Sequence, residues 1–214
     1  KDIDNGPEKP VSAMAVVCAL LYKRFQAGKA PLAVVSMDNC SHNGEKLRNS
    51  ILTMAKEWEK KGYVTDEFVN YISDEDQVSF PWSMIDKITP RPDASVKKML
   101  EDAGFTDTES IVTSKNTYVA PFVNAEEAQY LVIENAFPNG RPALENAGVM
   151  FTSRETVEKV ERMKVCTCLN PLHTALAVYG CLLGYTKISD EMKDADLVKL
   201  VEIIGYKEGL PVVT

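Results

Sequence analysis

Residues 31–37, Pro-Leu-Ala-Val-Val-Ser-Met, are an apolar run too short for a helix and without the alternation of a half-solvated strand. Such a run predicts a strand covered on both faces, and strands of that kind belong to the parallel sheets of α/β proteins. It ends in the polar sequence Asp38-Asn39-Cys40-Ser41-His42-Asn43-Gly44 and leads into residues 45–61, where Leu47, Ile51, Leu52, Ala55 and Trp58 recur at helical spacing. Polar side chains at the carboxyl end of a parallel strand lie where open α/β sheets bind ligands, in the crevice above the sheet. Asn43-Gly44 would alternatively serve as no more than a helix cap.

The flanking sequence supplies the layers such a strand needs. Residues 1–10 read as a polar loop. Pro10-Val11-Ser12 opens a helix whose apolar positions Met14, Val17, Leu20, Leu21 and Phe25 continue until Gly28. A short helix is expected within 65–76 and an extended segment at 78–80, followed by a small amphipathic helix over 93–104 closed by Gly104. Residues 105–127 are polar and give no clear element. Residues 129–135 and 149–152 read as strands separated by the turn-rich Phe137-Pro-Asn-Gly-Arg-Pro142. Ser153, with Glu155 to Glu158 behind it, signals a helix start and a domain boundary. A long helix over 154–184 and an amphipathic helix over 194–206, stopped by Gly205, complete the chain. The organisation predicted is α/β, with residues 1–152 as one domain and 153–214 as the start of a helical one.

Charge and cysteine usage narrow the partners. The 214 residues carry a formal charge of −7, which offers no basic footprint for nucleic acid or an anionic membrane. No apolar run approaches the roughly 20 residues of a membrane span, and the first ten residues have neither a signal-peptide core nor an arginine-rich transit pattern. A cytoplasmic location, with small molecules as partners, is the expectation. Five cysteines in no CxxC arrangement read as reduced thiols, and two histidines, His42 and His173, leave no metal-ligand spacing. No metal is therefore expected. No GxGxxG follows a strand and no GxxxxGK[ST] loop occurs, so residues that hold a cofactor phosphate cannot be assigned. The chain reads as an internal piece of a longer protein.

The chemistry is concentrated in residues 163–173, Met-Lys-Val-Cys-Thr-Cys-Leu-Asn-Pro-Leu-His, which place an amine, a carboxamide and an imidazole within an apolar helical run. A lysine there must be paired or have its pKa lowered, and a lysine so lowered is a candidate general base. The structural alternatives are a snorkelling Lys164, a capping Asn170 and a core His173.

Three stretches share one resemblance. The Lys164, Asn170, His173 helix, the segment S-x-D-N-x-x-x-N-G at 36–44, and Phe80-Pro-Trp-Ser-Met-Ile-Asp86-Lys-Ile-Thr-Pro90 resemble motifs of the polyol-specific long-chain dehydrogenases, the mannitol dehydrogenase and fructuronate reductase family. The resemblance implies the later part of a Rossmann-like domain followed by an all-α substrate domain. It also implies a reversible, metal-independent, NAD-dependent reduction (NADP possible) of a ketose or ketouronate, with D-fructuronate/D-mannonate ahead of fructose/mannitol and tagaturonate/altronate. In that scheme Lys164 is the acid/base, Asn39 and Asn170 donate to the substrate oxygen, His173 binds an adjacent hydroxyl and Asp86 relays protons. A non-catalytic binding protein on the same scaffold is the reading from a different class.

The sequence departs from the family pattern at one place. Four residues separate lysine from asparagine in the family, whereas five, Val165 to Leu169, do so here. Nine residues along a straight α-helix turn Lys164 and His173 about 180° apart, against about 80° for the family's eight. Pro171, whose ring clashes with the carbonyl of Thr167, gives the backbone a reason to deform. A π-turn, a kink or a fresh helix start is therefore predicted between Val165 and Pro171.

Overall fold

The computed structural model describes residues 1–213 except 86, 88 and 126–129. These residues divide into two compact units, Lys1–Met84 with Val132–Thr214, and Ile85–Leu131.

In the first unit the amino-terminal segment contains a short helix, α1 (Asp2–Asn5), where the sequence suggested only a loop. The Asp2 carboxylate explains it. Its oxygens accept from the backbone N–H of Val11 (2.8 Å) and Ser12 (3.2 Å), and Trp58 Nε1 donates to Asp2 O at 3.0 Å. Ser12 caps α2 (Ala13–Gln26), accepting from Ala15 N–H. After β1 (Leu32–Ala33) come α3 (Asn43–Lys60), α4 (Asp66–Ser73) and β2 (Val78–Ser79). The three long helices pack through Cys18, Leu21, Ile51, Ala55, Trp58, Phe68 and Ile72, all buried, with Val78 from β2 beneath them. Burial of this kind contributes roughly 1.5–3 kcal/mol for each large apolar side chain. Cys18 sits among these groups, its thiol pushed up to about 12 by burial, so it is a packing residue and not a nucleophile.

The strands are short. β1 and β2 pair in parallel, Leu32 opposite Val78, as the apolar run required. A separate three-stranded sheet holds β3 (Ser83–Ile85), β6 (Leu131–Glu134) and β7 (Met150–Thr152), in the order β3-β6-β7, with β6 and β7 parallel. Residues 31–36 are half-buried, which corrects the expectation of a strand fully covered on both faces.

The second unit, described by itself, holds α5 (Ala94–Asp102), whose preceding Asp93 side chain accepts from Ser95 N–H, and a hairpin of β4 (Ile111–Val112) and β5 (Tyr118–Val119). The hairpin lies in the stretch that gave no element from sequence. Its side chains are exposed, so no apolar alternation marks it, and Asn116 turns the chain at φ 55°.

From Ser153, whose hydroxyl accepts from Thr156 N–H, one helical run extends to Gly184. It comprises α6 (Arg154–Glu161), a π-helical segment (Arg162–Leu169) and α7 (Asn170–Leu183). By length and hydropathy the run Arg154–Leu183 would pass for a membrane span, contrary to the sequence expectation. Its apolar part starts only after Lys164 and holds Asn170 and His173. Two further helices follow, α8 (Ile188–Glu191) and α9 (Ala195–Glu202). Gly205 does not stop α9: the backbone continues as a second π segment, Ile203–Gly209. Gly209 lies against the first π segment, since a Cβ there would come within 3.1 Å of Thr167 Cγ2.

Candidate functional site

The polar loop after β1 is held by one buried side chain. Asn43 is 3% exposed, and its Nδ2 donates to Ser36 O (3.2 Å), Asp38 O (3.0 Å), Ser83 O (3.0 Å) and Ser83 Oγ (2.9 Å). Its Oδ1 accepts from Ser83 N–H at 3.1 Å and Gly44 N–H at 2.7 Å. Asn43 is thus a clamp between the β1 loop and β3, not the helix cap its position suggested. The N-cap of α3 is His42, in the left-handed region at φ 55°, and its side chain makes no capping bond. Gly44 is required for a different reason: a Cβ there would sit 2.4 Å from Phe80 O. Asn39, carried on the loop so fixed, is exposed.

Behind the clamp lies a second polar centre. Glu134, 8% exposed at the end of β6, accepts from Trp82 N–H at 3.0 Å and from Arg154 Nε at 3.0 and 3.1 Å. Burial acts to lower the pKa of the Arg154 guanidinium, but Glu134 and Glu75 beside it outweigh that and hold it above its usual value. The guanidinium also lies 5.5 Å from the Trp82 ring centroid, and the His42 imidazole stacks on Trp82 at 4.5 Å. His42, Arg48, Glu75, Trp82 and Arg154 line a cleft of about 290 Å³.

The long helix meets the loop along one face. Glu158 lies 3.7 Å from His42 Nε2, and Glu161 accepts from the Ser41 hydroxyl and from His42 N–H. Residues 154, 158 and 161 fall on one stripe of α6. Lys164, half-buried, lies three residues beyond Glu161, in the π segment that follows α6.

A π segment, Arg162–Leu169, falls where the spacing departs. Asn170 N–H donates to Val165 O, five residues back, and Thr167 Oγ1 donates to Arg162 O. A π-turn absorbs one extra residue without breaking the helix. Leu169 has right-handed helical dihedrals, so α7 is not a fresh start with Asn170 as its cap. Asn170 and His173, three apart on α7, share a face and are exposed. His173 Nδ1 lies 3.1 Å from Leu169 O; a carbonyl can only accept, so Nδ1 carries a proton. Asp86 lies outside the described residues. Among those described, no group of three or more His, Cys, Asp or Glu is placed to hold a metal ion.

Sequence reasoning missed Trp82, Glu134, Arg154 and Glu158. Trp82 stood inside a recognised motif and Glu134 at the end of an apolar strand, but their partners are distant in the chain.

A family model described as the mannitol dehydrogenase Rossmann domain matches residues 3–146. A D-mannonate oxidoreductase of Thermotoga maritima is 59% identical over 215 residues, covering 100% of this chain. A polyol:NADP oxidoreductase of Gluconobacter oxydans is 34% identical over 98% of the chain. A substrate-free D-sorbitol dehydrogenase superposes over the whole chain with a TM-score of 0.80 at 30% identity. Mannitol 2-dehydrogenase of Pseudomonas fluorescens, in a ternary complex with NAD and D-mannitol, does so at 0.72 and 30%. The chain spans 39% of the length of each of these four proteins.

Proposed function

We propose, from the premise that this chain belongs to the mannitol dehydrogenase family, that its full-length protein interconverts D-fructuronate and D-mannonate with NAD. The observation that carries the proposal is the π segment Arg162–Leu169, which accommodates the one residue by which the catalytic helix departs from the family spacing. The 59% identity to a D-mannonate oxidoreductase favours the uronate over fructose or tagaturonate. Relatives named for NADP and for mannitol keep that cofactor and the fructose/mannitol pair as the alternatives.

Nicotinamide, when bound, supplies the hydride acceptor or donor. What this chain offers to it is the polar loop after the parallel strand β1, the position at which open α/β sheets take ligands. The residues for its phosphates are not assigned, because the sequence contains no glycine-rich turn of that type.

In the oxidation direction Lys164 takes the proton of the substrate hydroxyl as the carbon loses hydride, and in reduction it returns that proton. Asn39 and Asn170 donate carboxamide N–H groups to the same oxygen, which stabilises alkoxide character without being titratable. With Nδ1 protonated and bonded to Leu169 O, the His173 ring has Nε2 to accept from, or when charged donate to, a neighbouring hydroxyl. Asp86 exchanges the proton with solvent. The boundary between nucleotide-binding and substrate parts falls at 152/153, supported by the family match ending at residue 146.

The test is a panel of D-fructuronate, D-tagaturonate and D-fructose with NADH and NADPH on the full-length protein. The proposal expects the highest kcat/KM for D-fructuronate with NADH. A preference for fructose by tenfold or more would move the assignment to the mannitol enzymes.

A further inference from the structure

The Lys164 helix and the Asn39 loop belong to segments more than a hundred residues apart, yet the proposed chemistry needs them fixed to a fraction of an ångström. The polar contacts described between them converge on two consecutive residues, Ser41 and His42. His42 is the more constrained. Its ring stacks on Trp82 with planes 24° apart, Nδ1 lies 3.5 Å from Glu45, Nε2 lies 3.7 Å from Glu158, and its backbone N–H faces Glu161 at 3.5 Å. Trp82 is in turn fixed through its N–H to Glu134, which also holds Arg154 at the start of the same helix. A left-handed non-glycine backbone at φ 55° costs free energy, so this conformation persists because its surroundings impose it.

We propose that His42 is a positioning residue for this reaction. Wedged on Trp82 and bridging to Glu158, it sets the separation between the loop bearing Asn39 and the helix bearing Lys164. The inference rests on the catalytic roles given above to those two residues. His42 touches no reacting atom. Its removal leaves the oxygen-binding groups present but misregistered, which lowers turnover more than binding. Glu158 is shared with Arg162, whose Nη2 donates to the same Oε1 at 3.0 Å, so the two contacts of that carboxylate can be separated by mutation.

The experiment uses the full-length enzyme with D-fructuronate and NADH. His42→Phe keeps a ring on Trp82 and loses both carboxylate contacts; Glu158→Gln removes the charge from the helix side; Arg162→Gln removes the other partner of Glu158. The proposal expects His42→Phe and Glu158→Gln each to lower kcat about three- to thirty-fold with KM within about twofold, since misplacement without loss of contact acts on the transition state. The double variant should be no slower than the worse single one, because both act through one contact. Arg162→Gln should match wild type. Wild-type kcat in the folded His42→Phe and Glu158→Gln enzymes, or losses that multiply in the double variant, overturns it. Lys164→Ala, assayed alongside, separates the two levels: its inactivity with unimpaired His42 and Glu158 variants removes only the positioning role, whereas its full activity removes the catalytic assignment and the positioning role with it.

Discussion

Lys164, Asn43 and Gly44 illustrate how differently single residues declare themselves. The lysine was conspicuous because an amine inside an apolar run calls for an explanation. Asn43 was read as a cap because the residues beside it start a helix, whereas its partners include Ser83, forty positions away, a contact no local pattern announces. Gly44 likewise owes its identity to the Phe80 carbonyl. Gly44→Ala should therefore destabilise the protein by about 1–3 kcal/mol, the usual cost of overpacking, seen as a lower denaturation midpoint with unchanged slope. For catalysis, Lys164→Ala should lower kcat/KM by a factor on the order of 10² to 10⁴. Asp86→Asn should be milder, because a relay assists exchange with solvent without touching the transferred hydride. Equal loss in both, with both folded, would place Asp86 in contact with substrate.

Among the elements, those with a 3.6-residue period and a capping signal were legible: α2 behind Ser12, α3 with its Trp58 stripe, the helix behind Ser153. The hairpin β4/β5 was not, since its residues are exposed and bury no face that could impose alternation. The Gly205 stop failed because a glycine inside a helix costs only about 1 kcal/mol, which neighbouring helical residues can outweigh. The π segment was the most informative success, since it followed from counting residues between Lys164 and Asn170 and from the missing donor of Pro171. Deleting the exposed Cys166 would restore the family's four-residue spacing. That deletion should retain turnover within about tenfold, whereas inserting an alanine after Cys166 should cost a further hundredfold or so, because a second extra residue rotates Lys164 about 100° more. At the other end of the helical part, Asp194 caps α9, and its carboxyl is held below the usual range by Leu197 N–H first, then by the Tyr185 hydroxyl and Asp196 N–H. A lowered folded pKa contributes stability in full above the ordinary carboxylate value and loses it as pH falls through the depressed one. Asp194→Asn should accordingly show a shallower loss of urea midpoint between about pH 5 and about pH 3 than wild type.

For the whole molecule, an apolar strand followed by a polar loop was enough to predict parallel α/β architecture, and three motifs spread over the chain were enough to place it in its family. What stayed hidden was the means by which distant motifs are brought together: the Asn43 clamp to β3, the Glu134–Arg154 pair, and His42 on Trp82. Each joins segments that have no reason, in local sequence, to meet. The central claim is that the π segment turns Lys164 onto the side of the helix that serves Asn39, Asn170 and His173. Its most direct test is a crystal structure of the full-length protein with nicotinamide cofactor and D-mannonate bound. The account predicts an eight-residue π segment retained at Arg162–Leu169, with Lys164 Nζ and the amides of Asn39 and Asn170 within hydrogen-bonding distance of one substrate oxygen. A substrate oxygen held by other groups, with the Lys164 amine turned to solvent opposite His173, would contradict it.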